Sequence, residues 1–423
     1  MPITDKPELN KEVVSYFQSV GTGLKGQLSK FMEKKETPET ATFSLVLVVL
    51  FAVIAGVLFY FLYKWLQVLE TPENIATVAR NSITAQTHYG TSNPARVGIR
   101  DYLMKLKQAG IPDSHLVLTN FYVSTVNAAG LFSPAVDGIA SPEAVRLAVL
   151  GGARGFVLDI WPDMSPGSQF GPVIQTVESG SSWRRITLNS LPLGYVFGTL
   201  VQEAFELNSR PGYSDPLFLY LRFRGKPRPS TFEMTAQALS ANFEQYRLPN
   251  MFNGCRNQAK LFSTPITDLL RKVVIVSNVK ATGTNLHDYI NVGPMAGVKV
   301  EYGVNEARSL TTDAIVQAKR IVLNNLTWVA PLSEDSANNW DIQPSIDLGI
   351  MFCAMNFWDS NDALKKYLSP DMFGKQSFLL KPEPLRYILT ILPTPPVPVY
   401  PGWDGSPSSG TPNPPRELRA PSI

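Results

Sequence analysis

The sequence predicts an α/β fold, because short apolar runs of strand length alternate along the chain with segments of helical character. The runs are rich in Val, Ile, Leu and Phe, which is typical of parallel strands covered on both faces. The region 96–392 is long enough for an α/β barrel or a doubly wound sheet, and periodicity does not separate the two. The predicted strands are HLVLTNFYV (His115–Val123), GFVLDIW (Gly155–Trp161), PLFLYLRF (Pro216–Phe223), KVVIVSN (Lys272–Asn278) and LGIMFCAMNF (Leu348–Phe357).

Two segments between the earlier runs predict helices, at Ser141–Leu150 and Gly194–Leu207. The first has a clear start signal. A serine such as Ser141 caps a free backbone N–H at a helix N-terminus, and proline is favoured at the first helical position, where Pro142 stands.

Composition excludes several classes of function. A net charge of +3 over 423 residues is too small to argue for a nucleic-acid partner. The only two cysteines, Cys255 and Cys353, are far apart in sequence, which argues against a disulfide framework or a cysteine zinc site. The three histidines are His88, His115 and His287, and this scarcity restricts the acid–base chemistry that the chain can perform.

An apolar run without charge predicts a transmembrane helix ahead of the α/β region. Residues 43–63 read FSLVLVVLFAVIAGVLFYFLY, and about 20 such residues are enough to cross the hydrocarbon core. Lysines are more frequent before the run than after it, so the positive-inside rule favours a cytosolic N-terminus. The sequence therefore predicts a single-pass membrane protein.

These observations divide the chain into five parts. We expect an N-terminal amphipathic segment (1–42), a transmembrane helix (43–66), a stalk (67–95), the α/β domain (96–392) and a proline-rich disordered tail (393–423). The amphipathic segment is equally compatible with a helix on a membrane or partner surface and with a partly ordered tail. Besides the membrane, protein partners are therefore expected to bind through this segment or through the proline-rich tail.

Five segments, in the same order, resemble parts of the catalytic barrel of eukaryotic-type phosphoinositide-specific phospholipases C. TNFY (119–122) is similar to the family's His-Asn-Thr-Tyr motif, and SPEAVRLAVLGGARGFVLDIW (141–161) to its helix, turn and strand ending Glu-Leu-Asp-Cys-Trp. The others are DPLFLYLRF (215–223), FSTPITDLLRKVVIVSNVK (262–280) and CAMNFWDSNDALKKYLSPDMFGKQSFLLKPEPLR (353–386). The resemblance implies a TIM-type (β/α)8 barrel preceded by the transmembrane helix, with its site at the carboxyl ends of the strands.

The resemblance also implies that the catalytic histidines are missing. The family uses two histidines near the phosphate, as acid and base for diester cleavage. Their positions fall on Thr119 and Thr176, neither of which titrates near neutral pH. We therefore predict no catalytic residues.

The family's calcium ligands are kept only in part. Of the four positions that hold calcium, Asn120 and Asp159 match the family, whereas Val157 and Arg222 replace its two glutamates. Calcium prefers oxygen ligands with concentrated negative charge, and a guanidinium is permanently positive. We therefore expect no metal, and we hypothesise that Arg222 pairs with Asp159 in the place of the cation. The alternative is that Arg222 points into solvent at a strand end.

Taken together, the sequence favours a membrane-anchored, catalytically inactive barrel with a structural, scaffolding or lipid head-group-binding role. No cofactor is expected. An anionic head group could bind where Arg222, Arg224 and Lys226 follow one strand. Two alternatives remain: an active phosphoric diester hydrolase with a rearranged site, which would need calcium, and a structural membrane protein of a large virus particle.

Overall fold

The protein was analysed as a computed structural model. It describes residues 50–51, 53–62, 96–132, 138–163, 171–177, 187–207, 212–295, 298–331, 338–359 and 361–388.

The described residues form an α/β domain around one mixed sheet of ten strands. The strands are β1 (Phe121–Val126), β2 (Gly155–Pro162), β3 (Pro172–Ile174), β4 (Leu191–Pro192), β5 (Leu217–Phe223), β6 (Val273–Ser277), β7 (Glu301–Tyr302), β8 (Trp328–Val329), β9 (Phe352–Met355) and β10 (Phe378–Leu380). The helices are α1 (Ile99–Gln108), α2 (Pro142–Leu150), α3 (Leu193–Val201), α4 (Pro229–Phe243), α5 (Gln258–Phe262), α6 (Val304–Arg308), α7 (Thr312–Asn324), α8 (Gln343–Leu348) and α9 (Asp362–Tyr367).

Seven strands form a parallel row in the order β6-β5-β2-β1-β9-β8-β7. Three short strands are antiparallel additions, since β10 pairs with β1, β3 with β2, and β4 with β3. Between the two ends of the row, the described residues contain only an isolated parallel bridge from Val276 to Val292. The α/β class is therefore right, but the regular eight-strand repeat is replaced by a mixed sheet with a seam between β6 and β7.

Alternation along β2 and β5 separates an inner core from an outer one. Val157 and Tyr220 pack in a cluster with the stacked rings of Trp328 and Phe352, whose centroids lie 3.7 Å apart. Their sequence neighbours on the same two strands pack instead with helices α2, α3 and α4. Because side chains alternate between the faces of a strand, Asp159 and Arg222 lie on the same face as Val157 and Tyr220. This face is the barrel interior.

Most predicted elements lie where the apolar runs place them. The strands within 155–161, 216–223 and 272–278 are present, and α2 begins as expected, with Ser141 Oγ accepting a hydrogen bond from the Glu143 backbone N–H. The first strand is displaced. Residues Asp113–His115 and Leu118–Asn120 form short 3₁₀ turns, and β1 begins only at Phe121. This displacement changes the interpretation of Thr119 and Asn120 below.

The predicted transmembrane helix at 43–66, and with it the single-pass localisation, is wrong. Within the part of the chain that the structure describes, no helix is long and apolar enough to cross a bilayer. The amphipathic segment (1–42), the stalk (67–95) and the proline-rich tail (393–423), and therefore the predictions made for them, lie outside the described residues.

Candidate functional site

The mouth of the barrel, at the carboxyl ends of the parallel strands, is organised around Arg222. This residue is the next-to-last of β5, and only 2% of its surface is exposed. In the β2–β5 ladder, Asp159 stands directly opposite Arg222. Because partners in parallel register project to the same face, the carboxylate and the guanidinium meet inside the barrel.

Every N–H group of the Arg222 guanidinium has an oxygen acceptor. Nε donates to Asp159 Oδ1 at 2.6 Å, and Nη2 donates to Asp159 Oδ2 at 2.7 Å. The second Nη2 hydrogen faces Asn127 Oδ1 at 3.5 Å. Nη1 donates to Glu301 Oε1 at 3.2 Å and to the Pro331 carbonyl at 3.3 Å. A guanidinium has five donors, so the hydrogen-bonding capacity of Arg222 is filled by five oxygen atoms from four strands or loops.

A second arginine and a tyrosine complete the charged cluster. Arg224 Nε donates to Asp159 Oδ1 at 2.6 Å, so this carboxylate binds two guanidinium groups. Tyr220 lies two residues before Arg222 and donates its hydroxyl to Glu301 Oε2 at 2.5 Å. Glu301 belongs to β7, at one end of the parallel row, while Tyr220 and Arg222 belong to β5, near the other end. The Glu301 carboxylate therefore links the two ends of the row.

Arg222, Asp159 and Tyr220 are each held in the protonation state that their hydrogen bonds require. Burial opposes the charge of Arg222, but Asp159 and Glu301 outweigh it and raise the pKa of Arg222 above its ordinary value. Burial raises the pKa of Asp159, yet Arg222 and Arg224 together lower it below the usual range. Burial and the neighbouring Glu301 both raise the pKa of Tyr220, which keeps its phenol protonated as a donor. Two cations and two anions make the cluster electrically neutral.

Buried amides continue the cluster toward β9. Asn127 follows the last residue of β1, and its Nδ2 donates to Asn356 Oδ1 at 3.0 Å. Asn356 follows β9 and is fully buried. Asn339 holds the Asn356 backbone on both sides: its Nδ2 donates to the Asn356 carbonyl at 2.8 Å, and its Oδ1 accepts from the Asn356 N–H at 2.6 Å. Asn127, the amide that touches Arg222, is thereby fixed in one orientation.

Thr119 and Asn120 are not at the mouth. They precede β1, so they lie at the amino-terminal edge of the sheet, roughly 25 Å from the Asp159 level by strand rise. Thr119 Oγ1 donates to the Phe262 carbonyl. The residues at the mouth end of β1 are Val126 and Asn127, and neither is a histidine.

The other predicted positions have structural contacts. Val157 is fully buried in the inner core, below the level of Asp159. The Thr176 backbone N–H donates to Thr187 Oγ1 at 3.3 Å, just after β3. Asn278, which follows β6, binds the Phe223 backbone at the end of β5: the Phe223 N–H donates to its Oδ1 at 2.8 Å, and its Nδ2 donates to the Phe223 carbonyl at 3.0 Å.

Among the described residues, no histidine contacts the cluster. His115 lies at the amino-terminal edge, where its Nδ1 faces Arg386 Nη1 at 3.4 Å. His287 lies in the 3₁₀ turn Asn285–Tyr289, where its Nδ1 faces the Lys280 carbonyl at 2.8 Å. His88 lies outside the described residues.

Sequence reasoning missed three members of the cluster: Asn127, Tyr220 and Glu301. Tyr220 could have been found, because it alternates with Arg222 along one strand and must share its face. Asn127 could have been found as the polar residue that follows the run FYVSTV, had the strand been placed three residues later. Glu301 gives no such signal, since it lies on a two-residue strand whose partners across the barrel are distant in sequence.

The residues at the mouth do not fit the calcium ion that the sequence resemblance implies. Oxygen ligands of the right types are present in Asp159, Glu301, Asn127 and the Pro331 carbonyl, but they converge on a guanidinium. A divalent cation there would meet a fixed positive charge and a cluster without excess negative charge. No group of three or more acidic, cysteine or histidine side chains in the described part of the chain could hold a metal ion.

Two solved structures show which fold this is. The chain aligns with the crystal structure of L. pealei PLC21 at a TM-score of 0.51 and 17% identity, over 64% of this chain and 38% of that one. It aligns with S. officinalis PLC21 at a TM-score of 0.53 and 18% identity, over 66% of this chain and 39% of that one. No protein-family model and no curated protein matches the sequence. The phospholipase-C-like fold is therefore confirmed. The chain spans less than two-fifths of the length of those two proteins.

The cluster predicts a large difference between its two arginines. Replacing Arg222 by Met should lower the free energy of unfolding by about 3–5 kcal/mol, because Glu301 and Asn127 would lose their buried partner. Arg224→Met should cost about 1 kcal/mol or less, because Arg224 is 22% exposed and water can replace it. Denaturant unfolding of the three proteins measures both values. Equal losses in the two variants would contradict a cluster centred on Arg222.

Proposed function

We propose that this phospholipase-C-like barrel is not a calcium-dependent phosphodiesterase and that it serves a structural, scaffolding or ligand-binding role. The observation that carries the proposal is the Arg222 guanidinium, whose five donors are all bonded to oxygen atoms at the mouth. The fold supplies the scaffold of an enzyme, but a fold alone does not determine an activity.

Cleavage of a phosphodiester with an internal hydroxyl nucleophile needs a general base, a general acid and stabilisation of charge on phosphorus. Asp159 is a poor base, because two guanidinium groups hold its charge and lower its pKa. Arg222 cannot give up a proton near neutral pH. Tyr220 is bonded to Glu301, and burial keeps its proton in place. The described groups of the cluster therefore supply neither an acid nor a base suited to pH 7.

Calcium titration of the full chain tests the proposal. The parent should give no binding heat, whereas Arg222→Glu should bind calcium, because this change removes the fixed cation and adds a carboxylate beside Asp159 and Glu301. Arg320→Glu is the matched control: it makes the same change of charge on the exposed face of α7 and should bind no calcium.

The same proteins should be assayed for hydrolysis of a water-soluble inositol phosphodiester. The parent should show no calcium-stimulated turnover. Tight calcium binding by the parent, with turnover that is lost in Asp159→Asn, would refute the proposal and support the alternative of an active hydrolase.

A second candidate function is the binding of an anionic group at the mouth. Arg224 follows β5 and uses only its Nε on Asp159, so its two terminal nitrogens make no hydrogen bond to other described residues. Lys226 lies two residues further and is exposed. An arginine presents paired donors that match a phosphate or carboxylate, and Lys226 adds a point charge. We propose a phosphate-bearing head group as the ligand.

Titration with inositol 1-phosphate tests this second function. The parent should bind, and Arg224→Gln with Lys226→Gln should weaken binding at least tenfold, since each phosphate contact through a charged donor contributes about 1.5–3 kcal/mol. Lys319→Gln with Arg320→Gln, on exposed α7, is the control that removes equal charge. Equal weakening in both double variants would indicate nonspecific attraction and contradict a site at the mouth.

A further inference from the structure

The amino-terminal edge of the barrel is closed by residues 381–388, which we call the C-terminal clasp. The Lys381 N–H donates to the Asn120 carbonyl at 2.8 Å, which extends the β10–β1 pairing. The Asn120 side chain holds the far end of the clasp: its Oδ1 accepts from the Tyr387 N–H at 2.6 Å, and its Nδ2 donates to the Tyr387 carbonyl at 2.8 Å. Asn120 thus has a clear role, at the opposite end from the mouth.

Inside the clasp, Lys381 is buried without a hydrogen-bond acceptor. Its surface is 0% exposed, and among the described residues Nζ has no hydrogen-bond partner. Nζ faces the ring of Tyr122, whose centroid is 5.7 Å away. An ammonium group loses far more solvation on such burial than one ring face returns. The clasped state therefore favours a neutral amine.

Arg386 fixes the clasp on either side of this lysine. It donates through Nε to the Lys381 carbonyl at 2.6 Å, and its Nη1 lies 3.4 Å from His115 Nδ1, before β1. The backbone that carries the buried Lys381 side chain is therefore held in place by contacts with side chains as well as by the β10–β1 pairing.

No carboxylate compensates for these charges. Within the described part of the chain, none lies within ion-pair distance of Lys381, Arg386 or His115. Burial raises the pKa of the neighbouring Cys353 thiol to about 12, so it stays neutral. The titratable and charged groups around the clasp are Tyr102 on α1, Asp113 in a surface pair with Lys107, Tyr122 on β1, Asp347 on α8 near Tyr122, Cys353 on β9, and Glu383 and Tyr387 of the clasp itself.

We propose that the C-terminal clasp is a proton-sensitive latch: uptake of a proton at Lys381 detaches residues 381–388 from the amino-terminal edge of the barrel. Detachment would release eight residues, and therefore move the start of the following proline-rich sequence by up to ~25 Å. The Asn120 hydrogen bonds and the β10 pairing set the closed state, and the buried lysine sets its pH dependence.

Lys381 determines in which direction the stability of the clasp changes with pH, and over which pH range. Burial lowers the pKa of Lys381 in the clasped state to about 7, from 10.5 when it is exposed. Between these two values the detached state binds more protons than the clasped state, so the clasp tightens as the pH rises through this window. The equilibrium constant for opening the clasp rises up to tenfold for each unit by which the pH falls, until about pH 7. Below that pH, Lys381 is protonated in both states, and its contribution to the pH dependence levels off.

Hydrogen exchange of individual amides in the full chain tests the latch. The opening constants of the Lys381 and Tyr387 amides, corrected for intrinsic rates, should rise about tenfold from pH 8 to pH 6. The Val274 amide in buried strand β6 reports global unfolding. Its opening constant should also rise with falling pH, because unfolding exposes Lys381 too, but it should stay far smaller than those of the clasp amides. Clasp amides that open no more often than Val274, or that show no pH dependence, would overturn the proposal.

Two variants identify the side chain that makes clasp opening depend on pH. Lys381→Met keeps the length and apolar stem without a charge, so it should remove most of the pH dependence and raise the melting temperature at pH 7. His115→Gln is the control: it keeps a side-chain acceptor for Arg386 and should leave the pH dependence of the parent unchanged. A Lys381→Met protein with the parent's pH dependence, or with a lower melting temperature, would show that Lys381 is not the proton-binding group.

Discussion

The mouth of this barrel depends on one constraint: a buried arginine must have an acceptor for every donor. Arg222 is almost fully buried, and leaving any of its N–H groups unpaired there would cost about 1–3 kcal/mol. Asp159, Glu301, Asn127 and the Pro331 carbonyl meet this requirement. These oxygens come from separate parts of the chain, so satisfying one side chain also fixes how β2, β5, β7 and the end of β1 are arranged.

The same constraint explains how the two ends of the sheet are joined although no ladder of backbone hydrogen bonds connects β6 with β7 among the described residues. Strands β6 and β7 share no ladder among the described residues, yet Glu301 on β7 binds Tyr220 and Arg222 on β5. Below this polar link, the stacked rings of Trp328 and Phe352 fill the interior. A neutral cluster over an aromatic core favours a stable closed mouth over a metal site. The mouth of this phospholipase-C-like fold is therefore occupied by paired charges.

The sequence carried enough information to predict the strands and the ion pair, because both depend on local alternation. The run PLFLYLRF places Arg222 on the inner face, and the register with GFVLDIW then brings Asp159 to it. The start of β1 could not be predicted in this way. HLVLTNFYV is apolar throughout, so the sequence gives no sign that 3₁₀ turns replace its first half. That error moved Asn120 to the mouth and hid Asn127. Glu301 depends on tertiary contacts alone. The charge-free run at 43–63 was also misleading, since length and hydropathy argued for a transmembrane helix that the described structure does not contain.

Five hydrogen bonds hold the buried Arg222 side chain in one orientation. The most direct measurement is NMR of the full chain with ¹⁵N-labelled arginine, comparing the side-chain signals of Arg222 with those of exposed Arg320. Arg222 should give separate, slowly exchanging signals for its Nη hydrogens, because its hydrogen bonds block rotation and its burial blocks access of solvent. Exposed Arg320 should give averaged signals that exchange fast. Averaged Nη signals at Arg222, exchanging as fast as those of Arg320, would contradict this arrangement.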